Sequence, residues 1–416
     1  MLASNVPGRN QPGLEPTREA GLKRLAEFLP RAGHAYRNQR NFDLGPGRHE
    51  HVSGLSPYLR HRLIGEWEVV AAVLSEHGYR AAEKFIQEVF WRVYWKGWLE
   101  QRPRVWHDYL EGLNAARRDL DASSGQAAPY REAVSGRTGI APFDAWAREL
   151  VDTGYLHNHA RMWFASIWTF TLRLPWELGA AFFMYHLLDG DAASNTLSWR
   201  WVAGLQTPGK YYLATPDNIE RFAGGRFFNT VRPAGLGRLV TSATVPAASD
   251  LCPPEALNLS SLPEPGERAA LLLHVDDLQL PDPEMFERVA VLAMPGPGTV
   301  GHSNEVEAFR QGAVASTVRR ASASGCSGVR GLAPAEIPSW ISESGIERVY
   351  MPYVPQGPLR DQIHAIEARL SSAGCELHMF AREIDIQTWP YSHRGFFSLK
   401  KHIPRIIEAL GATTAR

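Results

Sequence analysis

The pattern of apolar residues changes near residue 235, and this change restricts the fold more than any other feature of the chain. From Thr17 to about Phe222, apolar residues recur at helical spacing between Gly/Pro breaks, which predicts a run of packed helices. Beyond residue 268, short apolar runs alternate with helical segments, as is typical of an α/β layer with a mainly parallel sheet. We therefore predict a multidomain protein, α plus α/β, in which an all-helical domain precedes a smaller Rossmann-like α/β domain.

Composition sets the expected boundaries of these parts. Residues 1–15 are polar and rich in Pro, Gly and Asn, which predicts a flexible tail. The helical domain takes residues 16–235, an Ala/Ser/Pro-rich linker takes residues 236–267, and the α/β domain takes residues 268–412. In the α/β domain the predicted strands are Leu271–His274, Val289–Met294, Arg348–Pro352 and Glu376–Phe380, and the predicted helices are Glu305–Ala323 and Leu359–Ala373.

Charge, cysteine content and hydropathy exclude several classes of protein. Lys plus Arg equals Asp plus Glu, 44 against 44, so overall charge steers no polyanion to the protein, although a local basic face is still compatible with nucleic acid. The three cysteines fit no zinc or redox spacing, which favours reduced thiols, a cytoplasmic setting and no bound metal. Residues 162–188 are the most apolar stretch, but Arg173, Pro175 and Glu177 interrupt it, so we predict no membrane span. We expect a monomer.

Hydroxyl groups and a glycine precede a predicted helix near residue 56. Ser53, Gly54, Leu55 and Ser56 form this segment, and Tyr36 lies shortly before it. Hydroxyls and backbone amides at a helix start suit an anion such as a diphosphate. Ser-x-x-Ser before a helix is more often simple capping, so this segment alone is weak evidence.

A second segment places charged and aromatic groups on one helix face. Glu88, Trp91, Arg92 and Trp95 are spaced so that they share a face. Burying a carboxylate and a guanidinium is costly unless they line a polar cavity. An amphipathic face with a surface ion pair is the equally weighted alternative.

Two further segments combine histidines, an arginine and aspartates. His157 and His159 flank an asparagine, and Asp189 and Asp191 flank a glycine. A metal site or a nuclease fragment fits poorly, because the acidic pair has no third ligand nearby and the histidine pair lacks the rest of a ββα metal site. A third interpretation is that Arg161 neutralises Asp189 in an apolar interior, which favours a bound, charge-shifting cofactor.

Taken together, residues 17–222 resemble the C-terminal half of the DNA photolyase and cryptochrome family. The match is strongest from Thr138 to Trp201, where many of the family's elements occur in family order. These elements are Thr138-Gly, Asp144, Arg148-Glu-Leu, Thr153-Gly, His157-Asn, Arg161-Met, Ala165-Ser, Trp176, Asp189-Gly-Asp, Asn195 and Trp199-x-Trp.

The resemblance implies a bent FAD inside the helical bundle. Asn195 matches a position beside flavin N5, where an amide tunes the redox and protonation state of the flavin. The FAD contacts that the resemblance implies are Tyr36, Ser53, Gly54, Leu55, Ser56, Arg161, Asp189, Gly190, Asp191 and Asn195.

The family's repair enzymes bind a pyrimidine dimer that is flipped out of DNA into a cavity above the flavin. Indole faces stack on the bases, and a carboxyl and an amide hydrogen-bond the base edges. The dimer and DNA contacts that the resemblance implies are Arg40, Glu88, Trp91, Arg92, Asn158, His159, Met162 and Trp201. The expected activity is that of a carbon–carbon lyase, a light-driven DNA photolyase. The alternatives are a cryptochrome-like photoreceptor without repair and a flavoprotein with a structural role only.

Eleven of the thirteen tryptophans lie between Trp67 and Trp201. Trp199 and Trp176 match two members of the family's electron-transfer chain and, with Glu88 and Asn195, make up the expected catalytic set. Ser123 stands where the surface member should be, and a core role for the indoles remains as well supported as electron transfer. Candidates to replace the surface member are Trp106, Trp146, Trp163 and Trp168.

Some features depart from the family pattern. Val52 replaces a usual threonine, which removes one phosphate hydrogen bond, and His159 stands where many repair enzymes carry arginine. The family's α/β antenna domain, normally N-terminal, is not at its usual place. We therefore hypothesise that residues 268–412 are a displaced antenna-like domain. The aromatic segment 389–397 is expected to pack on the helical domain.

Overall fold

The computed structural model describes residues 14–122, 124–207, 209–228, 231–247, 251–264, 268–282, 285–292, 299–326 and 328–412. Most of the predicted tail, residues 1–13, lies outside the described residues, as does Ser123.

Helices make up the first half of the chain, which confirms the all-helical prediction for this part. Their ends carry ordinary caps: the Thr17 hydroxyl accepts from the Ala20 amide at 3.1 Å and the Asp191 carboxylate accepts from the Ser194 amide at 2.8 Å. The helices are α1 (Arg18–Phe28), α2 (His34–Gln39), α3 (Ser56–Arg60), α4 (Glu66–Glu100), α5 (Arg104–Ala122), α6 (Ser124–Val134), α7 (Ala141–Thr153), α8 (Asn158–Ser166), α9 (Trp176–His186), α10 (Ala192–Val202) and α11 (Pro216–Phe227).

The second half contains a five-stranded parallel sheet, as the sequence predicts. The strands are β1 (Ala269–His274), β2 (Arg288–Leu292), β3 (Arg330–Leu332), β4 (Arg348–Pro352) and β5 (Glu376–Phe380), in the order β3-β2-β1-β4-β5. The accompanying helices are α12 (Asn304–Ala323), α13 (Ile337–Ser344), α14 (Ile363–Ser372), α15 (Glu383–Thr388), α16 (Phe396–Lys400) and α17 (Ile403–Ala409). The strand β3 was not predicted, because its three residues, Arg-Gly-Leu, contain one apolar side chain.

The two faces of the sheet pack against different partners. Leu271 and Leu273 belong to the same apolar cluster as the helical region. Leu272, which points to the opposite face, packs with Trp340 of α13 and Ile366 of α14. One continuous core therefore joins the sheet to the helices of the first half. The division of the chain at residues 235 and 268 stays a prediction.

Two arginines meet at the end of β1, Arg62 from the helical region and Arg382 from the segment after β5. Arg62 pairs with Glu66, Asp277 and Asp385 at 3.0, 3.0 and 2.7 Å. Arg382 donates to both oxygens of Asp277, at 2.9 and 2.8 Å.

These charged groups are almost completely buried, with 5% of the Arg62 side chain and 2% of the Asp277 side chain exposed. Arg62 also adopts a left-handed φ of 48°, which costs on the order of 1 kcal/mol for a non-glycine residue. Its three carboxylate partners hold it there. We call Arg62, Glu66, Asp277, Arg382 and Asp385 the junction cluster.

A neighbouring carboxylate is buried at the same junction. Glu100, at the end of α4, accepts a hydrogen bond from the Tyr353 hydroxyl at 2.9 Å and another from the Gln356 amide. Burial raises the pKa of Glu100 to about 7, although these hydrogen bonds and Arg360 oppose the rise. Among the described residues, no helix is both long and apolar enough to cross a membrane.

The junction cluster yields a prediction about stability. Asp277→Ala leaves the buried Arg382 and Arg62 with fewer carboxylates, so we expect a loss of roughly 3–5 kcal/mol in the free energy of unfolding, measured by urea denaturation. Glu347→Ala is the matched control, because its ion pair with Arg268 is exposed and such pairs contribute about 0–1 kcal/mol. Equal losses in the two variants would show that the cluster contributes no more than a surface pair.

Glu100 yields a prediction about pH. Its folded-state pKa of about 7 exceeds the unfolded value of about 4.3, so its contribution to stability is present below the unfolded pKa and is lost as pH rises through 7. As pH rises from 4 to 8, the parent protein should therefore lose on the order of 3 kcal/mol in the free energy of unfolding relative to the Glu100→Gln variant. Urea denaturation of both proteins across this pH range measures the difference, and a difference that does not change with pH would contradict the prediction.

Candidate functional site

The candidate site lies between the second half of α4 and the segment from α8 to α10. The helix α4 is 35 residues long and bends at Gly78, whose φ of 68° interrupts the helical geometry. Beyond the bend, Glu88, Trp91 and Arg92 follow one another on one side of the helix, and Lys96 lies one turn further.

Asp189 is buried against a guanidinium. Arg161 donates from Nη2 to Asp189 Oδ2 at 2.9 Å and from Nε to the Leu156 carbonyl at 2.8 Å. Burial alone would raise the pKa of Asp189, but Arg161, Arg92 and a hydrogen bond from Ser56 outweigh it and hold the pKa below its usual range. Asp189 is therefore a buried anion at neutral pH.

Asp191 and Asn195 are positioned by α10. Asp191 caps the helix, which fixes its carboxylate beside Arg60, with 4.0 Å between Arg60 Nε and Oδ2. Burial opposes ionisation of Asp191, but Lys96 and Arg60 lower its pKa overall. Asn195 donates from Nδ2 to the Ala180 carbonyl at 2.8 Å, so its amide oxygen lies on the opposite side of the group and is available as an acceptor.

A cleft lies where the helical region meets the loop after β4. Its charged lining is Arg60, Lys96, Asp191 and Asp276, and residues 355–358 close it from the side of the sheet. Arg60 is paired with Asp276 at 2.8 Å, whereas the Lys96 ammonium has no hydrogen-bond partner among the described residues.

Several other buried polar atoms around the site also lack partners within the described part of the chain. Leaving such an atom unsatisfied costs about 1–3 kcal/mol, so groups of this kind need a partner such as a polar ligand, an ion or water. Besides Lys96 Nζ they are Arg92 Nη1, Asp189 Oδ1, Ser194 Oγ, Thr196 Oγ1 and Trp199 Nε1. Cationic donors next to carboxylate and hydroxyl acceptors fit a large cofactor that carries both phosphates and a polar ring.

The loop ahead of α3 is held by an arginine. Arg24 donates to the Ser53 carbonyl at 2.7 Å, and the Ser53 hydroxyl accepts from the Leu55 amide at 3.3 Å. Gly54 has a φ of 60°, and a Cβ there would lie 2.1 Å from Arg24 Nη2, so only glycine fits. The Tyr36 ring is buried nearby, edge-on to Phe85 at 5.1 Å.

The residues implied as dimer and DNA contacts do not share one environment. Glu88 forms an ion pair with Arg40, and burial raises the pKa of Glu88 while Arg40 opposes the rise. Arg92 lies near the carboxylates of Asp189 and Asp191 and lowers the pKa of both. Arg92 is therefore directed towards the buried aspartates.

Two of the implied stacking residues already have aromatic neighbours. The Trp91 ring lies face to face with Phe396 of α16, with centroids 3.7 Å apart and planes 11° apart. Trp201 is 37% exposed and stacks on Tyr212 at 5.9 Å. The expected packing of segment 389–397 on the helical region is confirmed by Phe396.

The remaining implied contacts lie on and around α8. Asn158, its first residue, is exposed and Met162 is half-buried. His159 stacks on Trp163 at 4.1 Å and has its Nδ1 atom 3.1 Å from the Asn41 carbonyl.

The tryptophans of the expected electron-transfer chain are buried. Trp199 is 2% exposed and meets Trp168 edge-on at 6.2 Å. Trp176 is 4% exposed and faces Tyr109 at 5.6 Å. The other candidates, Trp146 and Trp163, stack on each other at 5.3 Å.

Sequence reasoning missed Arg60, Lys96 and the contact of Phe396 with Trp91, although it expected the segment that contains Phe396 to pack on the helical region. Lys96 had a usable signal, because it lies one turn beyond Arg92 on the same helix. The positions of Arg60 and Phe396 depend on contacts more than 100 residues away in sequence, Gly190 and Trp91 respectively, and carried no local signal.

Comparison with known proteins finds a described domain that overlaps part of the site. A family model described as the FAD binding domain of DNA photolyase matches residues 85–233. The deoxyribodipyrimidine photo-lyase of Synechococcus sp. is 32% identical over 218 residues, covering 49% of this chain and 43% of that protein. The enzyme of the same name from Streptomyces griseus is 37% identical over 157 residues, covering 38% of this chain and 33% of that protein. The chain thus spans less than half the length of these relatives.

Among solved structures, a bacterial class III photolyase from Agrobacterium tumefaciens is 28% identical, with a TM-score of 0.42. The match covers 50% of this chain and 43% of that one.

Proposed function

Because the helical part of the chain belongs to the DNA photolyase and cryptochrome family, we propose that the protein binds FAD and uses light to split pyrimidine dimers in DNA. The observation that carries this proposal is the buried set of unsatisfied polar atoms around the Arg161–Asp189 ion pair, which lies inside the matched FAD-binding region. A DNA substrate is compatible with the predicted cytoplasmic location. This location and the monomeric state stay predictions.

The chain offers groups of both charges to FAD. Arg92 and Lys96 carry buried donors that have no partner among the described residues, and such donors suit the negative charge of a diphosphate. The Nδ2 atom of Asn195 donates to the Ala180 carbonyl, so the amide oxygen points away from it. This oxygen is suited to accept a hydrogen bond from a ring N–H. Asp189, held as an anion, supplies an acceptor for the ribityl or ring region.

When bound, FAD supplies light absorption and one-electron donation, which the side chains cannot supply. The side chains of the protein have the other task, which is to hold the lesion. Trp91 and Trp201 offer indole faces on which bases stack, worth roughly 1–3 kcal/mol per base. Phe396 fixes the orientation of the Trp91 ring by stacking on it.

Glu88 is suited to hold a proton near the lesion. Because burial raises its pKa, the carboxyl is more readily protonated than an exposed glutamate, and a protonated carboxyl donates a hydrogen bond to a base carbonyl. Its ion pair with Arg40 keeps the carboxyl in one place until a substrate competes for it.

One assay tests the proposal. The absorption spectrum of the purified protein is recorded, and the protein is then illuminated under reducing conditions with DNA that contains pyrimidine dimers, with restored thymine as the readout. Bound flavin with repair supports the proposal. Bound flavin without repair contradicts the repair activity, and the absence of flavin contradicts both parts.

The buried carboxylate at the site yields a prediction about FAD. Asp189→Asn removes the anion that pairs with Arg161 and should abolish most FAD retention, measured by flavin absorbance after gel filtration. Asp152→Asn is the matched control, because Asp152 is exposed on α7 and should leave FAD content unchanged. Full FAD content in Asp189→Asn would remove this residue from the cofactor site.

The lesion contact yields a separate prediction. Glu88→Ala should keep its FAD but lower the rate of dimer repair by about 10-fold or more, since one group that stabilises charge at the reacting centre is lost. Glu76→Ala, an exposed glutamate on the same helix, is the control for the charge change. If Glu88→Ala repairs as fast as the parent protein, Glu88 is not a lesion contact.

A further inference from the structure

Trp199 has an aromatic neighbour that the tryptophan chain described above does not include. Its ring meets Trp168 edge-on, with centroids 6.2 Å apart and planes 84° apart. Gly179 permits this approach, because a Cβ there would lie 2.3 Å from Trp199 Cη2 and 2.9 Å from Trp168 Nε1. Any larger residue at position 179 would therefore push the two rings.

Trp168 continues the path towards the surface. It is fully buried and its Nε1 donates to the Pro175 carbonyl at 2.9 Å, which fixes the ring. Besides Phe164 and Phe182, which are hard to oxidise, it meets Tyr130 of α6, with centroids 6.0 Å apart and planes at 90°. Tyr130 is half-buried, so it is the first ring in this series that reaches solvent.

A second series of rings starts at Trp176, and all three of its rings are buried. Trp176 faces Tyr109 at 5.6 Å, and Tyr109 faces Trp106 at 5.4 Å. Trp106 is fully buried, and its Nε1 donates to the Asp361 carboxylate at 3.2 Å. This series ends beneath the loop after β4.

We propose that Trp168 and Tyr130 form the electron path between solvent and Trp199, in place of a surface tryptophan at the position of Ser123. The proposal rests on the proposed function, which supplies the flavin: photoexcited FAD in its oxidised state would be the one-electron oxidant, and the reduced flavin that results is the donor that repair needs. It assigns an electron-transfer role to Trp168, one of the four replacement candidates, and adds Tyr130, which no tryptophan pattern would reveal.

The electron balance of the path closes at each step. One electron passes from Trp199 to the photoexcited flavin, Trp168 returns one electron to Trp199, and Tyr130 returns one electron to Trp168. Tyr130 releases its phenolic proton to water as it loses the electron, because its ring borders solvent. A thiol in solution then gives a hydrogen atom to the Tyr130 radical and becomes a thiyl radical, and two thiyl radicals from two such turns combine to one disulfide.

The test compares single variants of the full-length, FAD-loaded protein. Trp168→Phe and Tyr130→Phe keep an aromatic ring in place but remove the easily oxidised group, so both should fold and retain FAD. Trp176→Phe and Tyr109→Phe interrupt the other series. Tyr185→Phe is the control, because Tyr185 is an exposed tyrosine outside both series.

Three readouts separate the possible results. The first is the rate of flavin photoreduction under blue light with a thiol as donor. The second is the position of a spin-trap adduct, mapped by peptide mass spectrometry after illumination. The third is dimer repair by protein reduced with dithionite beforehand, which does not need the path.

The expected result is that the parent protein and Tyr185→Phe carry the spin-trap adduct on Tyr130. Tyr130→Phe and Trp168→Phe should lose that adduct and photoreduce more slowly, while repair after chemical reduction is unchanged. Photoreduction at the parent rate in both variants, or a loss confined to Trp176→Phe and Tyr109→Phe, would overturn the proposal. A protein that retains no FAD contradicts the proposed function itself and leaves the path without an oxidant.

Discussion

The junction cluster is the interaction on which the arrangement of the molecule depends. Arg62 and Asp277 are more than 200 residues apart, yet their side chains meet at 3.0 Å with almost no exposure to solvent. Ions in such a place cost several kcal/mol each to desolvate and are tolerated only when every charge finds a partner. The cluster therefore selects one relative position of the helices and the sheet, since a small displacement would leave a buried charge unpaired.

The same junction brings the candidate site into contact with the sheet. Arg60 precedes Arg62 by two residues and spans between the Gly190 carbonyl, at 2.6 Å, and Asp276, at 2.8 Å. Asp191 follows Gly190 directly, so the ion pair that fixes the sheet also fixes the turn that carries the site's aspartates. Stability at the junction and geometry at the site are coupled through this one guanidinium.

The site itself is less well satisfied than the junction. Within the part of the chain that the structure describes, Lys96 and Arg92 carry buried donors without partners, and Asp189 has one oxygen without a partner. A protein retains such costs where a ligand offsets them, because any species that binds only the folded state adds its binding free energy to stability. FAD binding and folding are therefore expected to be linked in this protein.

Local patterns in the sequence were enough for the helical character of the first half, for α12 and α14, and for four of the five strands, whereas α13, α15, α16 and α17 were not predicted. The helix α12 was predicted as Glu305–Ala323 and is observed as Asn304–Ala323, because its apolar spacing is local information. The contact between Trp91 and Phe396 and the junction cluster could not be predicted, since they join segments that no spacing rule relates. Motif order predicted the site residues as a set, whereas only the structure separates Arg92, near the aspartates, from Arg40, paired with Glu88.

The position of the α/β region after the helical region is compatible with this physics. Side-chain contacts at the end of β1 and around Glu100 hold the sheet against the helices, and the segment before β1 adds further contacts to both halves. The Glu255 amide donates to the Gln101 carbonyl at 2.8 Å, and the Ala381 amide donates to the Ser260 carbonyl at 2.7 Å. The connecting segment is therefore part of the interface, so it has to span the distance between the two halves and also make these contacts. That residues 268–412 are an antenna-like domain displaced along the chain remains our hypothesis.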